Sequence, residues 1–257
     1  MKKVISAFAA LASLAAVASP VQSDATFGVL KITDATTKEL VIGIPWEAVS
    51  GGSIKVTDLV LPTSSGDNLY WYDRTNNKYY AWVSNGTAWD VDIITNFGEI
   101  LDETGNANME LARGDALILV RANPAANSGA IYLSGRYVTG SSTSTAVAGK
   151  ISLIASPYAE DDVGLNDTTK VNFSSPNVGD YIMRSDGTVY TYKTVNGATK
   201  WYASVKVSDT TDYHTEVTVN VYGPSGDNSH VYFPAGQGVW YFSKGESDVT
   251  ITWGSDS

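Results

Sequence analysis

The chain has no cysteine, only two histidines and just 17% charged residues. Without cysteine there is no disulfide framework, no cysteine-ligated zinc, no iron–sulfur cluster and no thiol nucleophile. Basic residues are the scarcer sign, 17 Lys+Arg against 27 Asp+Glu for a net charge of −10. The cationic footprint that a nucleic-acid backbone requires is therefore missing, and no nucleic-acid partner is expected. His214 and His230 belong to neither a G-x-S-x-G elbow nor an H-E-x-x-H helix. Beyond residue 23 no window carries a helical stripe with caps; 93–101 comes nearest, and Gly98 weakens it. What is plentiful is 23 Gly, 15 Tyr and 7 Trp among many Ser and Thr, the profile of strands joined by frequent turns.

The N-terminus reads differently from the rest. Lys2 and Lys3 precede an apolar run over 4–18, shorter than the roughly 20 residues of a spanning helix. Small residues at Ala16, Ala18 and Ser23 then offer cleavage before Ser19 or before Asp24. This is the pattern of a secretory signal peptide over 1–23. It predicts an exported protein, extracellular, on the outer cell surface or in the periplasm, with no transmembrane segment in the mature chain.

From there period two dominates, so the fold class expected is all-β. Strands are predicted over 27–32, 40–44, 69–72, 79–83, 116–120 and 131–133, with a hairpin across the polar turn 73–78 and a tight turn at Asn85 and Gly86. The strand over 131–133 is expected to pair with that over 116–120. Landmarks then recur in the same order. The apolar run ending in Pro45-Trp46 matches that ending in Pro157-Tyr158, and Gly66-Asp67 matches Gly179-Asp180. Asn85-Gly86 with Trp89 matches Asn196-Gly197 with Trp201, and Gly114 matches Gly236. The expectation is two related antiparallel β-sandwich or barrel-like modules in tandem, 24–139 and 146–257, joined by a Ser/Thr-rich linker over 140–145.

The segments Arg113-Gly-Asp-Ala-Leu-Ile-Leu-Val-Arg121 and Pro234-Ala-Gly236-Gln-Gly238-Val-Trp240, with Ile44-Pro45-Trp46 and Ala155-Ser-Pro157, carry a resemblance. They resemble a group of secreted, internally duplicated all-β proteins of environmental bacteria. The resemblance implies export and fold, and brings no catalytic residue with it.

Candidate chemistry is sparse. Glu47 and Glu160 are the roughly repeat-equivalent glutamates, and paired carboxylates are what glycoside hydrolysis needs. In so acidic a chain such residues more commonly face solvent. Asp161, Asp162, Asp209 and Asp212 are hard oxygen donors suited to calcium, but no EF-hand loop or nonapeptide repeat accompanies them, and no cofactor is expected. Arg113-Gly114-Asp115 spells an adhesion tripeptide, which a turn glycine explains without a receptor. The aromatic hairpin is the stronger signal. Tyr70, Tyr72, Tyr80 and Trp82 are the candidate ligand or partner contacts, through stacking on a sugar ring or packing on a neighbour. Alternation puts Tyr70 and Tyr72 on one face and Leu69 and Trp71 on the other. The function expected is a non-enzymatic structural or adhesive component of a cell-surface, fibre or matrix assembly. It would self-associate or bind another surface protein, its terminal strands 26–32 and 249–253 adding to a neighbour's edge. A carbohydrate-binding protein is the alternative, and a carbohydrate-active hydrolase a more distant one.

Overall fold

The computed structural model describes residues 27–32, 39–48, 51–59, 64–73, 78–91, 109–123, 131–138, 140–158, 162–204 and 231–254. The signal-peptide region, the segment 93–101, both histidines, Glu160, Asp161, Asp209 and Asp212 lie outside them. The described residues form strands and turns with one 3-10 turn at Val56–Asp58, and every ladder is antiparallel. No helix among them is long and apolar enough to cross a membrane.

The first half contributes β1 (Phe27–Ile32), β2 (Glu39–Gly43), β3 (Ile54–Lys55), β4 (Asn68–Asp73), β5 (Lys78–Ser84), β6 (Trp89–Val91), β7 (Glu110–Leu111), β8 (Ala116–Val120) and β9 (Ile131–Arg136). The second contributes β10 (Ser142–Ala146), β11 (Ile151–Ala155), β12 (Val163–Gly164), β13 (Val171–Phe173), β14 (Tyr181–Met183), β15 (Val189–Val195), β16 (Ala198–Ser204), β17 (Tyr232–Phe233), β18 (Gly238–Phe242) and β19 (Val249–Trp253). Each half has one five-stranded sheet, ordered β2-β8-β4-β5-β6 and β11-β18-β14-β15-β16. Taken along the chain, this is one strand order used twice. Smaller sheets also correspond: β3-β7 with β12-β17, and β1-β9 with β10-β19-β13.

Shared hydrogen bonds align the two sheets residue by residue. Gly66 N–H donates to the Ser84 carbonyl and Ser84 N–H to that of Asp67; Gly179 N–H donates to Tyr192 and Tyr192 N–H to Asp180. Ser84 lies opposite Trp89, and Tyr192 opposite Trp201. Gly66 and Gly179 both have φ near the left-handed region, 90° and 99°, where a side chain would be strained.

Two expectations need correction. Residues 142–145 are no linker: Ser142–Ala146 form β10, paired along its length with β19. Thr143 and Thr145 are β-branched and suit a pleated edge, so a composition typical of flexible linkers here serves a strand. Nor does β9 pair with β8. It pairs with β1, Leu133 opposite Leu30, in a ribbon laid across the other side of the core. Both β1 and β8 are extended and apolar, so local pattern alone does not choose between them.

The layers explain why β2 and β8 are apolar on consecutive residues. Leu40, Ile42, Leu117 and Leu119 point into the first core with Leu69, Trp82, Trp89 and Leu133. Their neighbours Val41 and Ala116 point the other way, into a separate cluster with Leu153 and Ala155 of the second half. Beyond the second sheet lies its own core, with Ile154, Ile182, Tyr190, Trp201, Val239, Tyr241 and Trp253. A strand buried on both faces loses the polar alternation of a surface strand.

Contacts between the halves come in exchanged pairs. Gly43 N–H donates to the Gly236 carbonyl at 2.9 Å, and Ala155 N–H to the Gly114 carbonyl at 3.1 Å. Gly43 corresponds to Ala155 and Gly114 to Gly236, so one bond becomes the other when the halves are interchanged. Small residues permit this approach. A Cβ on Gly43 would fall 2.6 Å from Ala155 Cβ, and one on Gly238 2.6 Å from both Ala116 Cβ and Val41 Cγ1. Arg113 fastens the rim, donating from Nε to Pro157 O at 3.2 Å and from a terminal nitrogen to Gly140 O at 3.3 Å. Its tripeptide is a turn, with Gly114 at φ 92° and Asp115 accepting from Ala112 N–H. Gly238→Val should therefore destabilise the protein by about 1–3 kcal/mol through overpacking. Urea denaturation checks this, and an unchanged midpoint would mean that the two faces do not meet.

Candidate binding surfaces

The register of the β4–β5 hairpin divides the candidate aromatics between two faces. Leu69 lies opposite Trp82 and Trp71 opposite Tyr80, while Tyr70 faces Ala81 and Tyr72 faces Tyr79. The first set belongs to the core. Trp82 is fully buried there, and Tyr80 packs half-buried against the same cluster, its ring 5.6 Å from that of Trp71. Trp82 is thus corrected from ligand contact to core residue, and Tyr80 belongs to the core face. A run dense in aromatics on both faces does not say which face the core takes; the Leu69–Trp82 pairing beside the leucines of β8 decides it.

Tyr70 and Tyr72 lie on the other face, half-buried. The Tyr72 and Tyr79 rings are 4.8 Å apart and tilted by 36°. They form one wall of a cleft of about 260 Å³ between the two halves, whose lining is completed by Ile118, Lys150, Ile151, Leu153 and Trp240. Ile118 comes from β8, an interior strand of the first sheet. Trp240 stands on β18 opposite Leu153 of β11, and Ile151 opposite Phe242. Phe242 stacks on Tyr181 at 4.2 Å, extending the aromatic surface along the second sheet. The Tyr79 phenol is pushed up from its ordinary value by burial first, then by Tyr72 and Glu39. It therefore keeps its proton at neutral pH and can donate or accept a hydrogen bond.

The cleft is where the halves cease to match. Counted from Asp67 and Asp180, Tyr72 corresponds to Ser185; counted along β8 and β18, Ile118 corresponds to Trp240. In the second half the hairpin closes early, with Arg184 N–H donating to Thr188 O, and Ser185 Oγ accepts from the Val41 N–H at 2.9 Å. That end of the interface is closed by a short turn. The other end carries a longer hairpin bearing two tyrosines. Trp240, Lys150 and Leu153 were not legible as contacts from sequence, because they join Tyr72 only when the halves pack.

A second surface is the outer face of the β1–β9 ribbon. Val29 is 70% exposed and Tyr132 50% exposed. The pairing of Val29 with Ser134 and of Lys31 with Tyr132 puts both on one side of the ribbon, one diagonal step apart. Among the described residues β9 is the only ladder partner of β1, whereas β19 is paired on both sides by β10 and β13. The expectation that 249–253 offers a free edge is thereby corrected.

A third depression, in the second half, is lined by Asn166, Phe173, Tyr192, Lys200 and Trp201, among others. Asn166 is committed to the backbone of Trp201 through two 3.0 Å bonds, and Trp201 is buried, so this groove is the outside of a packed corner. Glu47 is half-buried and accepts from Gly52 N–H, while Asp162 is exposed and accepts from Ala235 N–H at 2.9 Å. Among the described residues no three His, Cys, Asp or Glu side chains gather as a metal-holding group. No family model matches this chain, and searches of curated proteins and of solved structures give no match.

Proposed function

We propose that this is an exported, non-enzymatic structural or adhesive protein that associates with copies of itself, or with another surface protein, through the β1–β9 ribbon. The observation that carries the proposal is the outward pair Val29 and Tyr132 on a two-stranded ribbon. Large apolar side chains so exposed on neighbouring strands lose free energy to water unless a partner covers them. A strand with one ladder partner also presents a row of backbone donors and acceptors to which another strand can add. The basic start and apolar run over 1–23 support export. The repeated strand order supports descent from a duplicated module. Packing of the two halves across a shared buried apolar cluster supports a rigid unit suited to bearing contacts.

Light scattering at rising protein concentration, with and without calcium, tests this. Wild-type protein should associate, and the double variant Val29→Lys, Tyr132→Lys should remain monomeric with its fold intact. Wild-type protein that stays monomeric throughout would refute self-association. Retained association in the double variant would move the contact elsewhere.

A further inference from the structure

From the geometry of the inter-half cleft we infer a binding site for a neutral pyranose ring with equatorial hydroxyls, as found in a β-1,4-linked glucan. The inference goes beyond the assembly proposal and does not rest on it.

Three observations converge. The lining is rich in aromatics from both halves, Tyr72 and Tyr79 from the first and Trp240 from the second, beside the apolar Ile118 and Leu153. A pyranose whose hydroxyls are all equatorial presents flat faces of axial C–H groups, which such rings bind by dispersion and C–H contact, while its polar rim points outward. Tyr72, Tyr79 and Lys150 among the lining residues are side-chain types that hydrogen-bond to hydroxyls such as those on that rim. Next comes size. About 260 Å³ lies just below the roughly 300–1,000 Å³ of sites for drug-sized ligands, so the cleft takes one ring. The stacked Tyr181 and Phe242, on the same face of the second sheet as Trp240, give a neighbouring ring of the same chain somewhere to lie.

The third observation is that the two halves differ at these rings. Ser185 stands at the place that corresponds to Tyr72, and the counterpart of Trp240 is the smaller Ile118, which lines the same cleft. Tyr72 and Tyr79 lie on the face away from Leu69 and Trp82, and Tyr72 packs with Ile118 and Trp240 at the edge of the cluster shared by the two halves. Each larger than its counterpart in the other half, Tyr72 and Trp240 line one opening and present ring surface to it.

The probe is cellohexaose, titrated into the purified protein by calorimetry with tryptophan fluorescence in parallel. Saturable binding is expected. Tyr72→Ser and Trp240→Ile put at each place the residue that the other half carries, so both variants should fold. Each should weaken binding at least about tenfold, the factor that about 1.4 kcal/mol of lost stacking represents. Val29→Lys, Tyr132→Lys should bind cellohexaose as wild type does, whatever becomes of its association. No saturable binding to wild-type protein would overturn the inference, as would undiminished binding in both folded cleft variants. Loss of sugar binding in the ribbon variant alone would do the same, by placing the site elsewhere.

Discussion

Trp201→Ala should lower stability by about 3–5 kcal/mol, the usual loss when a large buried aromatic is truncated and its neighbours relax only in part. Trp201 is 1% exposed and sits at the centre of a ring cluster. Its centroid lies 5.2 Å from Phe173, 5.3 Å from Tyr192 and 5.8 Å from Tyr241. Phe173 in turn stacks near Phe233, whose ring meets Trp253 edge-on at 4.9 Å. Rings that hold one another in tilted and edge-on pairs cannot collapse into a void without giving up those geometries. Trp89 holds the corresponding place in the first half and is also buried, so Trp89→Ala should cost a comparable amount. Urea denaturation followed by circular dichroism measures both. A loss below about 1 kcal/mol at both sites would contradict the placement of these residues in the cores.

Asp180→Ala should be as damaging, by a different route. Its carboxylate is fully buried and accepts three hydrogen bonds. Asn177 N–H and the Tyr241 hydroxyl donate to one oxygen at 2.9 and 2.8 Å, and Lys244 N–H to the other at 2.7 Å. Alanine would strand all three donors, at about 1–3 kcal/mol each before relaxation, so a total loss on the order of 3–5 kcal/mol is expected. Asp180→Asn keeps an acceptor and should lose less.

The same site makes a pH prediction. Burial, then the hydrogen bond and the charge of Asp180, hold the Tyr241 phenol well above its ordinary value. A phenol harder to ionise in the folded state stabilises the fold fully below its unfolded pKa of about 10, and that contribution is lost as pH rises beyond it. Wild-type protein should therefore weaken above about pH 10 more steeply than Tyr241→Phe does, as read from denaturation midpoints across the alkaline range. Parallel profiles would show that Tyr241 is not the responsible group.

The first half handles the matching carboxylate differently. Asp67 accepts from Ser64 N–H and Ala122 N–H, as Asp180 does from its own turn, but its counterion is Arg121. Burial lowers the Arg121 pKa while Asp67 acts to raise it. Position 119, where the second half has Tyr241, is leucine and points into the core.

What the sequence conveyed was the short-range physics. Gly66-Asp67 and Gly179-Asp180 announced their turns because a left-handed glycine followed by a carboxylate that collects backbone N–H groups is a local device. Asn85-Gly86 closed the turn its residue types favour, and the 69–72 and 79–83 runs paired across theirs. Choices made at long range were not legible. Whether β9 would meet β1 or β8 depended on which side of the core it crossed. Whether Trp82 or Tyr72 would be buried depended on which face the leucines of β8 covered. The cleft was hidden most thoroughly, since Tyr72 and Trp240 are distant in the chain and are brought together by Val41, Ala116, Leu153 and Ala155.

The exchanged bonds at Gly43 and Ala155 have a consequence for assembly. A surface whose contacts survive interchange of its two sides is self-complementary in the manner of a two-fold dimer, here within a single chain. The first half of one molecule could therefore dock on the second half of another using the same hydrogen bonds and the same small residues. Covalent linkage opposes that exchange. The short connection from Arg136 to Ser142 holds each half close to its own partner, at an effective concentration on the order of millimolar. Dilute chains accordingly close on themselves. Exchange between molecules would require the local concentration of neighbours to approach that of the tethered half.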